Sequence, residues 1–169
     1  MGFLKKRKLK KAAEREAREK QELARRIREQ AKVQADQWLK IIYDCVNLVN
    51  TTKNPEVFFQ RYNLMLEHLE KCAGLECTGI FNNSRELPST AFLRVEKQFL
   101  AETNKLIDRA FEEAKTKAET LKTEKGKKNA LIRFFDNMET YIIYMEPESV
   151  EYLDNLKQNS RNDLQCDNK

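Results

Sequence analysis

The chain has 169 residues, of which 35% are charged, and it contains only four glycines and three prolines. So few turn-forming residues exclude a fold built from many strands and tight turns, and the length suits one domain with extensions. The composition therefore predicts an all-α protein: an elongated antiparallel helical bundle with a long, projecting, basic N-terminal helix.

The net charge of +5 is unevenly distributed. Residues 1–32 hold thirteen Lys or Arg against five Glu, a net charge of +8, whereas residues 33–169 hold nineteen against twenty-two acidic residues, a net charge of −3. The cationic residues at the start form one cluster: Lys5, Lys6, Arg7, Lys8, Lys10 and Lys11. A localised cationic end is typical of proteins that contact nucleic acid, anionic lipid or an acidic protein surface, and also of solubilising tails.

The segment after this cluster argues against a secretory signal, because the basic residues lead into AAEREAREKQELARRIREQ rather than an apolar stretch. The longest strongly apolar run, YIIYM at 141–145, is far too short to span a bilayer. We therefore expect a cytoplasmic protein, with peripheral attachment to a membrane as an option. Reduced thiols are expected at four positions: Cys45, Cys72, Cys77 and Cys166.

One helix is predicted over residues 5–49. Its second half carries a packing stripe at alternating steps of four and three residues: Ala31, Ala35, Trp38, Ile42, Cys45 and Val49. Upstream the stripe is mostly alanine, which has little area to remove from water. Helicity there depends on propensity and on i,i+4 charge pairs: Glu14 with Arg18, Glu16 with Lys20, and Glu22 with Arg26.

The basic part of this helix is predicted to leave the body as an arm. Its alanine-rich stripe makes a poor coiled coil, because it slips from heptad spacing at Ile27, Ala31 and Ala35. We therefore expect any dimer seam in the segment from Trp38 to Val49.

The second helix has the strongest amphipathic pattern. Asn54 and Pro55 are expected to cap and start it, and Gly74 to end it in a left-handed conformation. Its packing positions are Phe58, Phe59, Tyr62, Met65, Leu66, Leu69 and Cys72. The following loop, 74–88, is interpreted as a surface loop held down by Ile80 and Phe81, with a binding loop as the alternative.

Three more helices are predicted after this loop. Ser89 or Thr90 can cap the third helix, which continues to a break around Gly126. A fourth helix then extends to Met145, and Pro147 starts a short fifth helix. The short links predict antiparallel neighbours.

The chain is thus divided into three parts: a charged basic helical arm at 1–32, a helical bundle body at 33–157 and a polar, disordered tail at 158–169.

Three segments of the body carry a resemblance to a known family: TTKNPEVFFQRYNLMLEHLEKCAGLE, NKLIDRAFEEAKTKAETLKTEKGK and FFDNMETYIIYMEPESVEYLDNL. In its spacing and its residue sequence, this pattern resembles an uncharacterised helical module of Gram-positive bacterial and phage-related proteins. The resemblance covers residues 40–157 and implies a helical body attached to variable N-terminal segments. It implies no activity, and it assigns no site residue.

Catalytic signatures are weak. His68 is the single histidine, and Cys72 lies one turn later; the two are interpreted as a partly exposed imidazole beside a packed thiol rather than as a catalytic pair. A zinc site could be drawn only from residues without finger spacing: Cys45, His68, Cys72 and Cys77. Phosphate-cradling glycine motifs are absent from the sequence. We therefore predict no enzymatic activity, no cofactor, no metal and no small-molecule substrate.

A second basic patch lies in LKTEKGKKN, where Lys125, Lys127 and Lys128 are candidates for anion binding or for capping the preceding helix. Together these features predict an interaction or scaffold protein that docks a protein partner or self-associates. The alternative is nonspecific association of Lys5 to Lys11 with nucleic acid or an anionic membrane.

Overall fold

In the computed structural model, the chain is a bundle of helices. The structure describes the backbone of residues 3–166 and the side chains of residues 7–161, and this part of the chain contains no strand. The α-helices are α1 (Phe3–Thr51), α2 (Pro55–Ala73), α3 (Pro88–Glu119), α4 (Glu124–Glu139) and α5 (Pro147–Cys166). Two short 3-10 helices occupy Glu76–Thr78 and Ile142–Tyr144. The predicted all-α bundle is confirmed.

The helix α1 has 49 residues and is about 73 Å long at roughly 1.5 Å per residue. Its C-terminal half buries the predicted stripe, with Ala35, Cys45 and Val49 each at most 3% exposed. The turn 52–54 then reverses the chain into α2. Asn54 caps α2 as predicted, because its Oδ1 accepts hydrogen bonds from the backbone amides of Glu56 and Val57.

The segment from Trp38 to Val49 does not form a free dimer seam. Ile42, Cys45 and Val49 are buried, and Trp38 is half-buried, because α2 packs along this face of α1 within the same chain. The expectation of a seam here is therefore wrong: amphipathic spacing shows that a face is covered, but it does not show by which chain.

The first of two hydrophobic cores, the proximal core, lies where α1, α2 and α3 meet. Phe58 and Leu106 are fully buried within it. Its buried members are Ala35, Ile42, Cys45, Val49, Phe58, Phe59, Tyr62, Met65, Leu69, Cys72, Phe81 and Leu106. The predicted packing face of α2 thus forms the centre of the protein.

The second core, the distal core, joins the second half of α3 to α4 and α5. Its buried members are Ile107, Ala110, Phe134, Phe135, Met138 and Leu153. Phe111 packs against both Phe134 and Phe135, with ring centroids 5.5 and 5.9 Å apart. Met145 contacts both cores. Because α3 contributes residues to both cores, it connects them.

The loop between α2 and α3 is held against the proximal core, in agreement with its interpretation as a surface loop held down by Ile80 and Phe81. Phe81 is buried and Ile80 half-buried in the proximal core. Gly79, rather than Gly74, adopts the left-handed conformation, with φ of 72° against −60° at Gly74. The helix α2 ends at Ala73, but Gly74 continues its right-handed turn. The left-handed residue therefore comes five residues later than predicted.

The start of α3 differs from the predicted cap. Pro88 is the first helical residue, and the carboxylate of Glu76 does the capping: it accepts hydrogen bonds from the Ser89 amide at 2.6 Å and the Ser89 hydroxyl at 3.0 Å. An anionic group at a helix N-terminus also complements the helix dipole. Because Glu76 is thirteen residues away in sequence, local patterns did not reveal it.

Two boundaries of α4 were also predicted wrongly. The helix begins at Glu124, capped by the Thr123 hydroxyl, which accepts from the Gly126 amide at 3.1 Å. Gly126 therefore lies in the first turn of α4 and not in a break. At the other end α4 stops at Glu139, and the residues up to Met145 form a turn and a 3-10 helix.

The helix α5 continues into the segment predicted to be disordered. It runs to Cys166, and Ser160 is buried, with its hydroxyl donating to the Leu156 carbonyl at 2.8 Å. A polar sequence can be ordered when one side of its helix packs on a neighbouring helix. Here that neighbour is α4. Residues 167–169 lie outside the described part of the chain.

Candidate interaction surfaces

The boundary between the arm and the body lies slightly earlier than predicted. Ala31 is 3% exposed, and the Arg28 Nη2 donates to the Gly79 carbonyl at 3.3 Å. Residues 7–30 are exposed, apart from half-buried Glu22. We refer to residues 7–30 of α1 as the arm. It projects from the body, and the body first contacts α1 within residues 28–31.

Charge pairs support the helix within the arm. Of the three predicted pairs, Glu16 with Lys20 and Glu22 with Arg26 are present, at 2.7 and 3.3 Å. The structure gives no ion pair between Glu14 and Arg18; the additional pairs are Arg15–Glu19, Arg25–Glu22 and Arg25–Glu29. Exposed i,i+4 pairs contribute only about 0.3 to 0.5 kcal/mol each, so the arm is ordered locally and not by packing on the body.

The predicted cationic cluster lies at the free end of the arm. The side chains of Lys5 and Lys6 lie outside the described residues. The other four members are all exposed, and none forms an ion pair with a side chain among residues 7–161: Arg7, Lys8, Lys10 and Lys11. They therefore expose positive charge to solvent.

The second basic patch does not join the first. Lys125, Lys127 and Lys128 lie in the first turns of α4, and Lys127 pairs with Glu124 at 2.6 Å. They belong to α4 and not to the last turn of α3, where the cation is Lys117. Since α3 runs beyond the C-terminal end of α1 before α4 begins, the two cationic groups occupy opposite ends of the molecule.

The arm also exposes apolar side chains. Leu9, Leu23 and Ile27 are 67%, 60% and 49% exposed. Burying any of them would be favourable by about 25 cal/mol per Å² of apolar surface removed from water. This apolar side of the arm has no partner among the described residues.

The His68 and Cys72 pair is part of the proximal core. His68 is only 7% exposed, contrary to the expectation of a partly exposed imidazole, and its Nδ1 lies 2.8 Å from the Leu64 carbonyl. Burial raises the pKa of the Cys45 and Cys72 thiols. A thiol with a raised pKa is protonated at neutral pH and is a poor nucleophile.

The zinc arrangement drawn from sequence is not assembled. Among the side chains of residues 7–161, no three of His, Cys, Asp or Glu lie together as they would around a metal ion. Cys77 is exposed, whereas Cys45 and Cys72 are enclosed in the proximal core. The side chain of Cys166 lies outside the described residues.

An open cleft of about 770 Å³ separates the turn between α1 and α2 from α3 and α4. Its charged residues pair with each other: the Glu113 carboxylate lies 2.7 Å from Lys117 and 3.5 Å from Lys53. The hydrogen bond from Lys117 lowers the pKa of Glu113. Glu113 is therefore ionised at neutral pH and cannot act as a general acid.

A cation from α3 closes the C-terminal end of α1 beside this cleft. The Arg109 guanidinium donates from Nε to the Thr52 carbonyl at 3.1 Å and from Nη2 to the Val49 carbonyl at 2.9 Å. It satisfies two carbonyl groups that lack helical partners and opposes the negative end of the helix dipole. Sequence patterns missed this contact, because 57 and 60 residues separate the partners.

A buried phenol links α2 to α3. The Tyr62 hydroxyl donates a hydrogen bond to the Val95 carbonyl, and the residue is 1% exposed. Burial raises the pKa of Tyr62 above its ordinary value of 10.0. The folded state therefore holds this proton more tightly than the unfolded state.

Alkaline pH is consequently expected to destabilise the protein through Tyr62. The stabilisation is fully present below pH 10 and is lost as the pH rises from there through the pKa of the folded state. Above pH 10, the wild-type free energy of unfolding should fall more steeply than that of Tyr62→Phe, by up to about 1.4 kcal/mol per pH unit. Urea unfolding of both proteins at pH 8 to 11.5 measures this; parallel curves would contradict it.

In comparisons with protein-family models, curated proteins and solved structures, nothing matches this chain. Over the described residues, none of the helices combines the length and apolar character needed to cross a bilayer. The interpretation of function therefore depends on the surfaces described above.

Proposed function

We propose that this chain is a non-enzymatic helical interaction or scaffold protein. Its body docks a protein partner or self-associates, and the cationic arm extends that contact. The observation that carries this proposal is the arm itself: residues 7–30 form an ordered helix outside both cores, with exposed charges and exposed apolar side chains on one element. A helix that stabilises nothing in its own body is suited to contact another molecule.

The chemistry of the body supports the same proposal. The cleft contains an ionised Glu113 already paired with two lysines. The single histidine is buried, and the thiols of Cys45 and Cys72 are protonated by burial. A general acid would instead need a raised pKa in an accessible cleft, and a nucleophilic thiol a lowered one. The proposal includes a cytoplasmic location and reduced thiols.

The test compares the full chain with a variant lacking residues 1–27, cut before the first contact of Arg28 with the body. We expect the shortened protein to melt cooperatively, since the arm packs on neither core. We also expect partners that co-purify with the full chain at 150 mM salt to be lost from the variant. Equal retention by both proteins, or no specific partner for either, would contradict the proposed role of the arm.

A second candidate is nonspecific association with nucleic acid or an anionic membrane through Lys5 to Lys11. Four of these residues, Arg7, Lys8, Lys10 and Lys11, are exposed without an ion-pair partner among the described side chains. Contacts to about six phosphates would give a slope of log K against log salt near −5 for duplex DNA. A salt-independent affinity would exclude nucleic acid, and flotation with vesicles of neutral and anionic lipid tests the membrane.

A further inference from the structure

The exposed apolar side of the arm has a regular spacing. Six residues of α1 follow one another at steps of four, three, four, three and four: Leu9, Ala13, Glu16, Lys20, Leu23 and Ile27. This is heptad spacing, so the six side chains lie along one stripe of the helix. We call these six residues the arm seam. All of them are exposed.

Two features of the arm seam determine what can cover it. Glu16 and Lys20 lie at its centre and leave 65% and 75% of their side chains in solvent, although they pair with each other at 2.7 Å. Apolar residues lie on either side, with Leu9 towards the free end and Leu23 and Ile27 towards the body. A partner must therefore offer apolar contacts at both ends and opposite charges in the middle.

We propose that a second copy of this chain covers the arm seam, with the two arms antiparallel and centred on Arg18. In this register, Leu9 lies opposite Ile27 of the second copy, and Ala13 lies opposite Leu23, so that a large side chain meets a small one. Glu16 lies opposite Lys20, and Lys20 opposite Glu16. Each charged residue at the centre thus meets its opposite, which satisfies the condition for complementary association.

The parallel arrangement fails on the same residues. It would place Glu16 against Glu16 and Lys20 against Lys20 in the seam, where like charges oppose association. Beside the seam in the antiparallel arrangement, Lys10 and Arg26 are next to Ala24 and Ala12 of the second copy. Glu19 is next to Glu19 of the second copy, but each of these carboxylates is paired with Arg15 of its own chain at 2.9 Å. The charges at the centre of the seam therefore favour the antiparallel direction over the parallel one.

The body leaves room for this arrangement. The seam ends at Ile27, one turn before Ala31, where the body begins to cover the same side of α1. A recess lined by Ile27, Ala31, Leu75 and Thr78 lies at this point, where the second arm would arrive. The two Ala31 positions would be about 39 Å apart along the paired arms, at roughly 1.5 Å per residue. The assembly would separate two bodies by a two-helix rod.

This inference rests on the proposed interaction function and names the partner of the arm. Sedimentation equilibrium of the purified full chain should show the average mass rising with concentration from 20.0 kDa towards twice that value. Glu16→Lys and Lys20→Glu each place like charges at both symmetry-related contacts across the seam, so each should weaken the dimer at least about tenfold. The double variant Glu16→Lys/Lys20→Glu should restore it.

Mixing the two single variants distinguishes the loss of charge contacts between chains from the loss of the Glu16–Lys20 pair within one helix. An equimolar mixture of Glu16→Lys and Lys20→Glu should form a mixed dimer, although the intrahelical pair stays broken in both chains. Glu14→Lys and Arg18→Glu make matched charge changes on other sides of the arm and should retain the wild-type affinity. A monomer at all concentrations, single variants as dimeric as the wild type, a mixture that does not associate, or control variants equally weakened would each overturn the proposal. A purely monomeric protein that still retains arm-dependent partners would leave the proposed function standing.

Discussion

Replacing Phe58 with alanine is expected to destabilise the protein by about 3 to 5 kcal/mol, the range for truncating a buried aromatic residue. Phe58 is 0% exposed at the centre of the proximal core. Its ring contacts those of Phe59 and Tyr62, with centroids 5.2 and 5.6 Å away. The loss combines the lost transfer of the ring from water with the cavity that the ring leaves in the core. Urea unfolding followed by far-UV circular dichroism measures it.

The matched control is Tyr43→Ala, an aromatic-to-alanine change at a helix position that is 65% exposed. It should change the free energy of unfolding by no more than about 0.5 kcal/mol, as expected for a surface substitution. A loss below 1 kcal/mol for Phe58→Ala, or an equal loss for Tyr43→Ala, would mean that the proximal core does not carry the stability of the fold.

The second large effect is expected at the C-terminal end of α1, which Arg109 of α3 caps. Arg109→Met keeps the length of the side chain but removes both hydrogen bonds to the Val49 and Thr52 carbonyls. We expect a loss of about 1.5 to 3 kcal/mol, the range for hydrogen bonds that involve a charged group. Arg109→Lys should give an intermediate loss, because an ammonium group lacks the planar fork that reaches two carbonyls. Thermal and urea unfolding both report this change.

Lys105→Met is the control for Arg109, since it removes a cation one turn earlier on the same helix. Lys105 is exposed and pairs with Glu102 at 2.7 Å. Its replacement should cost less than about 1 kcal/mol, as is usual for surface ion pairs. If Arg109→Met and Lys105→Met were equally stable, the guanidinium would be a solvated charge rather than a helix cap.

Local sequence patterns predicted the elements of the fold well where one helix face is apolar. The stripe from Ala31 to Val49 and the face of α2 are buried as expected, and Asn54 and Pro55 start α2. These features depend on residues three or four positions apart or on a single turn. Packing at that range follows directly from helical geometry.

Two missed helix caps have a different cause. Glu76 caps α3, and Arg109 caps α1, across separations that no local pattern records. The tail beyond Gln158 reads as disordered because its composition is polar, yet α5 continues there with Ser160 buried. Contacts between elements distant in sequence override local propensity.

The sequence by itself determined that this protein is helical, that its cations are concentrated at one end, and that the helix before Ala31 has too little apolar area to join a core. These properties follow from composition and periodicity, which need no neighbour. Only the tertiary structure decided which chain covers each apolar face. It assigned the segment from Trp38 to Val49 to the protein's own α2 and left Leu9, Leu23 and Ile27 uncovered. An amphipathic helix requires burial of its apolar face, but the identity of the covering surface depends on how the whole chain packs.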